Sequence, residues 1–164
     1  MEYTIEEIEM LNNRFERSNP EEVLKYFLGR FGKGIALSSS LSIEDQALTD
    51  MMLKIDPRVR IFTLDTGRLF PETYRLIDRT NERYKIRMEV FCPQAEELQR
   101  FVHEQGINPF YESIEKRHAC CQIRKLEPLK NVATAVPMRK GPSTPFSTRK
   151  KRKVLGPRIL PSLF

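Results

Sequence analysis

Tryptophan is absent from the 164 residues, and glycine occurs only 7 times. No glycine-rich dinucleotide fingerprint is present, so a phosphate site would have to be built from other residue types. No apolar run approaches the ~18 residues that a membrane-spanning helix requires. The first ten residues, MEYTIEEIEM, are acidic and lack the basic-then-apolar order of a secretory signal, so a cytoplasmic protein without a membrane partner is expected. Cysteine is limited to Cys92, Cys120 and Cys121. An odd count with two adjacent members argues against a disulfide framework and for ligation or reactivity at the pair. Acid is missing after Glu127. Up to Lys130 there are 20 basic against 22 acidic side chains; beyond it lie eight basic ones and no acid. The net charge of +6 therefore belongs to the tail and excludes nothing about the folded part.

What is present is a soluble-type composition, 40% apolar and 30% charged, in a chain long enough for one domain with a core. Its centre is the stretch 33–52, KGIALSSSLSIEDQALTDMM. Ile35-Ala36-Leu37 reads as a buried strand of a parallel sheet. Ser42 is a favourable helix N-cap, and Glu44 and Asp45 fall in the first turn, where the helix dipole favours acid. Ile43, Ala47, Leu48, Met51 and Met52 recur at helical spacing as an apolar face. The hydroxyl-rich loop between them reads equally as an anion cradle at a helix N-terminus or as an ordinary strand-to-helix turn.

Around this unit the signals alternate. Thr4 with Glu7 forms a capping box before a first helix, and Asn19-Pro20 opens a second that Gly29 or Gly32 ends. Residues 59–64, VRIFTL, predict a second strand, which stops at Asp65-Thr66-Gly67-Arg68. Pro71 opens a helix, residues 86–91 alternate like a strand, Pro93 to Gln105 is helical with Gly106 as C-cap, Asn108-Pro109 caps a short turn, and Arg117 to Leu129 is the last helix. The order ααβαβαβαα predicts an α/β fold, a parallel sheet with helices on both faces and right-handed crossovers. Ligands of such sheets bind at the carboxyl ends of the strands, where both polar clusters fall. The domain is expected over 1–130. Residues 131–164 hold five of the 11 prolines and the run STRKKRKV, and predict a disordered tail; nucleic-acid binding through that run is the weaker alternative to a solvated tail.

Three stretches together resemble the assimilatory sulfonucleotide reductases, which reduce adenylyl sulfate or its 3′-phosphorylated form. SSSLSIEDQALTDM resembles their pyrophosphate-binding loop, TLDTGRLFPETY their Leu-Asp-Thr-Gly-Arg motif, and KRHACCQIRKLEPLK the Cys-Cys element of the iron–sulfur subgroup. The resemblance covers roughly Glu21 to Lys130. It implies an adenine-nucleotide α-hydrolase-like fold with Ser39, Ser40, Leu41, Ser42, Glu44, Asp45, Asp65, Thr66, Gly67 and Arg68 around the nucleotide and Arg124 and Lys125 beside the sulfate. It implies Cys120 and Cys121 as two thiolate ligands of a 4Fe-4S cluster. Adenylyl sulfate or AMP and a thioredoxin-like reductant are the implied partners. The cluster subgroup favours adenylyl sulfate over phosphoadenylyl sulfate.

The sequence also departs from that pattern. Ser42 stands where family members often have glycine. The second ligand pair, Cys-x-x-Cys, and the nucleophilic cysteine of a Glu-Cys-Gly segment are absent. No catalytic residue is therefore assigned, and the chain is expected to bind without turnover, as a reductase by lineage or as a nucleotide-binding remnant. Cys92 is expected to be structural, and His103 and His118 to lie on helix surfaces. The fold is expected to be incomplete at its C-terminus, the tail reading as a replaced end. The strand at 34–37 then becomes an edge, open to aggregation or pairing with a second copy.

Overall fold

In a computed structural model, residues 3–135 are described; the basic, proline-rich segment from residue 136 onward lies outside the described residues. The chain begins with helix α1, Ile5–Phe15. Its capping box is complete: the Glu7 amide donates to Thr4 Oγ1 at 3.2 Å, and the Thr4 amide donates to Glu7 Oε2 at 2.8 Å. Helix α2, Pro20–Phe31, has Pro20 in its first turn and Asn19 Oδ1 accepting from the Glu22 amide at 2.9 Å. Gly32, at φ 49°, ends it, a conformation glycine adopts without a Cβ penalty.

Three parallel strands follow, β1 (Ala36–Ser38), β2 (Arg60–Leu64) and β3 (Glu89–Phe91), in the order β1-β2-β3. Leu37 pairs with Ile61, and Thr63 with Val90. Helix α3 (Ile43–Ile55) connects β1 to β2, and α4 (Pro71–Tyr84) connects β2 to β3. The core joins Leu28 of α2, Leu37 of β1, Met52 and Leu53 of α3, Ile61 of β2 and Ile77 of α4. Phe62 points away from Ile61, by the two-residue period of a strand, and is also buried. Both faces of the central strand are thus covered, as the α/β reading requires. Among the described residues β1 is an edge strand.

Four elements differ from expectation. On α3 Met52 is buried and Leu48 packs against the core as expected, and Asp45, Thr49 and Leu53 are buried beside them, whereas Ile43 is 82% exposed and Ala47 is exposed. The stripe is rotated because the Asp45 carboxylate is anchored behind it, 2.6 Å from the Ser40 amide nitrogen. Ser42 occupies the N-cap position but makes no capping bond with its side chain. Strand β3 starts at Glu89, not Ile86, because Asn81 Oδ1 takes the Met88 amide at 2.8 Å and withdraws it from the ladder. The last helix starts earlier and runs further than expected. Helix α6 (Ile114–Cys121), capped by Ser113, passes into a π-helical turn over Gln122–Leu126 and then into α7, Glu127–Ala135. The π turn is closed by the Glu127 amide on the Gln122 carbonyl, and Pro128, which has no N–H to donate to the carbonyl of residue 124 in a regular helix, follows directly on that donor. The helix thus extends past Leu129, where it was expected to end. Helix α5, Ala95–Gln105, begins two residues later than predicted and ends at Gly106, φ 84°.

Candidate functional site

Two loops meet at the carboxyl ends of β1 and β2. The ladder continues into them: the Ser39 amide donates to Phe62 O at 2.8 Å, and the Asp65 amide to Phe91 O at 2.9 Å. In the first loop the Leu41 amide donates to Ser39 Oγ (3.1 Å) and the Ser42 amide to Ser40 Oγ (3.4 Å). Ser40 gives both its amide and its hydroxyl to Asp45 Oδ2, each at 2.6 Å. Leu41 sits at φ 66°, an uncommon value for a branched side chain, and is buried. The amides expected to converge on an anion are thus satisfied internally; a phosphate would have to displace the serine hydroxyls.

In the second loop Gly67, at φ 70°, donates its amide to Asp65 Oδ1 at 2.7 Å. Tyr74 Oη donates to the other oxygen, Asp65 Oδ2, at 2.9 Å, and this bond raises the phenol's pKa. Arg68 turns outward to the segment before α6. It donates to Asn108 Oδ1 at 2.9 Å and to the Ile107 carbonyl, and its guanidinium lies over the Phe110 ring at 5.0 Å. Arg124, buried at 7% exposure, donates through Nη1 to Thr66 O at 2.6 Å.

These contacts frame two clefts. One, about 230 Å³, is lined by Ser38, Ser39, Ser40, Leu41, Thr63, Leu64, Thr66, Leu69, Thr73 and Lys125. The other, about 390 Å³, is lined by Thr66, Arg68, Phe110, Tyr111, Arg117, Cys120, Cys121, Arg124 and Lys125. Thr66 and Lys125 line both. The second cleft carries four cationic side chains and no carboxylate, an environment for an anion.

Of the residues singled out by sequence, Ser39, Ser40, Leu41, Thr66 and Lys125 line the first cleft, and Thr66, Arg68, Cys120, Cys121, Arg124 and Lys125 the second. Ser42, Glu44, Asp45, Asp65 and Gly67 line neither. Asp45 and Asp65 hold the loops from within, and Glu44 is exposed, its carboxyl held below the ordinary range by backbone N–H at the start of α3. Sequence reading missed Thr63, Thr73, Phe110, Tyr111 and Arg117. Arg117, three residues before Cys120, had a usable signal in its spacing on the same helix; Thr63 and Thr73 had none.

Cys120 is buried and Cys121 half-buried; Cys92, expected to be structural, is exposed just after β3. Partial desolvation of its sulfur and the nearby Asp65 raise the Cys92 pKa. His103 and His118 are exposed. A four-iron cluster needs four thiolates. Among the described residues no three His, Cys, Asp or Glu side chains gather to hold a metal, and the sequence has three cysteines in all. The residues present therefore do not fit a complete cluster. Also among the described residues, no helix is long and apolar enough to cross a membrane.

The chain resembles known proteins in sequence and in fold. An adenosine 5′-phosphosulfate reductase of Burkholderia cepacia is 48% identical over 95 residues, 58% of this chain and 38% of that protein. One from Pseudomonas aeruginosa (strain LESB58) is 42% identical over 118 residues, 72% of this chain and 43% of the relative. The chain thus spans less than half the length of these curated relatives. A crystal structure of phosphoadenylyl-sulfate (PAPS) reductase from Candida auris, a phosphate complex, superposes with a TM-score of 0.71 over 83% of this chain and 65% of that one; at 21% identity this likeness concerns the fold. The phosphoadenosine phosphosulfate reductase domain matches residues 34–141, a span holding the three strands, both clefts and the cysteine pair, and to that family this chain belongs.

Proposed function

We propose that this chain forms the nucleotide- and sulfate-binding part of an assimilatory adenylyl-sulfate reductase. The observation that carries the proposal is the sharing of Thr66 and Lys125 by the two clefts. An adenosine phosphate seated at the strand ends would place its distal anion among Arg68, Arg117, Arg124 and Lys125. Adenylyl sulfate has this shape: a nucleoside at one end and a sulfate joined through phosphate at the other. The names of relatives at 42–48% identity support the form without a 3′-phosphate.

Lys125 and the arginines would neutralise and orient the sulfate. Reduction then needs a thiolate in line with the sulfate sulfur. A sulfur–sulfur bond forms as the bond from sulfur to the phosphate oxygen breaks, AMP leaves, and a thioredoxin-type dithiol releases sulfite. In this reading Cys120 and Cys121 would supply two thiolates of a 4Fe-4S site, which needs two further ligands such as those of a second copy of the chain. Cys92 keeps its proton, and the nucleophile comes from outside this sequence. The chain alone binds and does not turn over. Three free thiols fit a reducing compartment such as the cytoplasm.

Calorimetry tests the proposal. Lys125→Ala should weaken adenylyl sulfate binding by ~1.5–3 kcal/mol, the range for a charge-assisted contact, and AMP binding by less. Failure of the folded protein to bind either nucleotide refutes it, as does robust sulfite release by the isolated chain.

A further inference from the structure

The π-helical turn places one side chain where a regular helix would not. It widens the helix directly after Cys121 and turns Arg124 inward, to 7% exposure. Arg124 Nη1 reaches 58 residues back in sequence to the Thr66 carbonyl, at 2.6 Å. Its Nε is buried with no acceptor among the described residues. A buried guanidinium with an unsatisfied N–H depends strongly on the bonds it does make, so the Thr66 contact is costly to lose.

The turn it holds is small and shaped around it. Gly67 follows Thr66 in the left-handed region at φ 70°, and a Cβ there would stand 3.4 Å from Arg124 Nη1, at the near edge of ordinary contact. The same turn is closed from the other side by the Gly67 amide on Asp65 Oδ1. Thr66, at its centre, lines both clefts. The guanidinium therefore connects the helix bearing the cysteine pair to the loop shared by the two clefts.

We infer that Arg124 is a positioning residue: it sets the Thr66-Gly67 turn through the Thr66 carbonyl and thereby couples the cysteine-bearing helix to the nucleotide cleft. This rests on the reading of the first cleft as a nucleotide site, but its first consequence does not. Removal of Arg124 should loosen the turn whether or not a nucleotide binds. The second consequence is linkage: a group added to the half-buried Cys121 should change AMP affinity through Arg124 and not by direct contact.

The experiment uses the whole chain carrying Cys92→Ser, so that the exposed thiol is silent. Amide hydrogen exchange compares the parent with Arg124→Met and Arg124→Lys. The Gly67 and Arg68 amides should exchange at least tenfold faster in Arg124→Met while β2 amides are unchanged, and Arg124→Lys, which keeps a donor, should recover part of the protection. AMP affinity should fall about tenfold in Arg124→Met, and methylthiolation of the cysteine pair should shift AMP affinity in the parent but not in that variant. Unchanged exchange at Gly67 in Arg124→Met overturns the inference. Should that variant fail to fold, Arg124→Lys decides: faster exchange at Gly67 and Arg68 and weaker AMP binding than in the parent support the inference, and parental behaviour overturns it. If no protein binds AMP while exchange responds as expected, the nucleotide assignment fails and the positioning role stands.

Discussion

Asp45 Oδ2 lies 2.6 Å from both the amide nitrogen and the hydroxyl of Ser40, five residues earlier in the chain. One buried carboxylate thus holds the loop after β1 and fixes which face of α3 turns inward. Asp45→Ala would leave the Ser40 amide and hydroxyl without their acceptor. A stability loss of ~2 kcal/mol is expected, with Asp45→Asn in between, since the hydrogen bonds are to a charged group. Urea unfolding of the three proteins measures it; equal midpoints would contradict this role.

A second prediction concerns pH. Arg60 of β2 grips Glu89 of β3 with two bonds, Nε–Oε1 at 2.7 Å and Nη2–Oε2 at 2.6 Å. The hydrogen bond from Arg60 holds the Glu89 carboxyl below its ordinary 4.5. A depressed folded-state pKa means that the unfolded chain binds the proton first. The contribution is therefore fully present above pH 4.5 and is lost as pH falls below it through the lowered folded value. Glu89→Gln should be less stable than the parent at pH 7, with the gap closing on acidification. A gap independent of pH between 7 and 3 would show that the pair does not contribute.

Helix α4 ends on Lys85 in the left-handed conformation, φ 55° and ψ 39°. A Cβ is unfavourable there, and glycine is the usual occupant. Lys85→Gly is expected to stabilise the protein by about 0.5–1 kcal/mol, read as a raised urea midpoint at unchanged slope. A lower midpoint would mean that the lysine side chain contributes more than its backbone strain costs.

The cysteine pair sets a limit on iron. With two thiolates in the second cleft and no third ligand beside them among the described residues, one chain should hold fewer than four irons after anaerobic reconstitution. If a four-iron cluster forms, it should appear with a dimer that contributes two thiolates per copy. Iron and sulfide analysis combined with sedimentation distinguishes these states. Four irons and four sulfides on a monomer would show a ligand set other than the one read here.

Much of the architecture was legible locally. Thr4 with Glu7, Asn19 with Pro20, Pro71 and Gly106 mark helix ends by interactions that span only a few residues, so their pattern in the chain is the interaction itself. Alternation of short apolar runs with helical periods determined a parallel α/β sheet, and the three motifs determined the family. What the sequence could not decide depended on partners distant along the chain. Apolar periodicity pointed Ile43 inward on α3, but the buried anchor of Asp45 turned it to solvent, because two bonds to a charged group outweigh one residue's place in an amphipathic stripe. The same limit applied to Arg124. Its placement beside the cysteines was readable, but its burial and its bond to Thr66 were not, since they follow from a π turn before Pro128 and from a loop 58 residues away. The sequence determined which groups are available at the strand ends; only the tertiary structure decided which face a ligand and which hold the loops, because hydrogen bonds between distant segments leave no periodic trace in the chain.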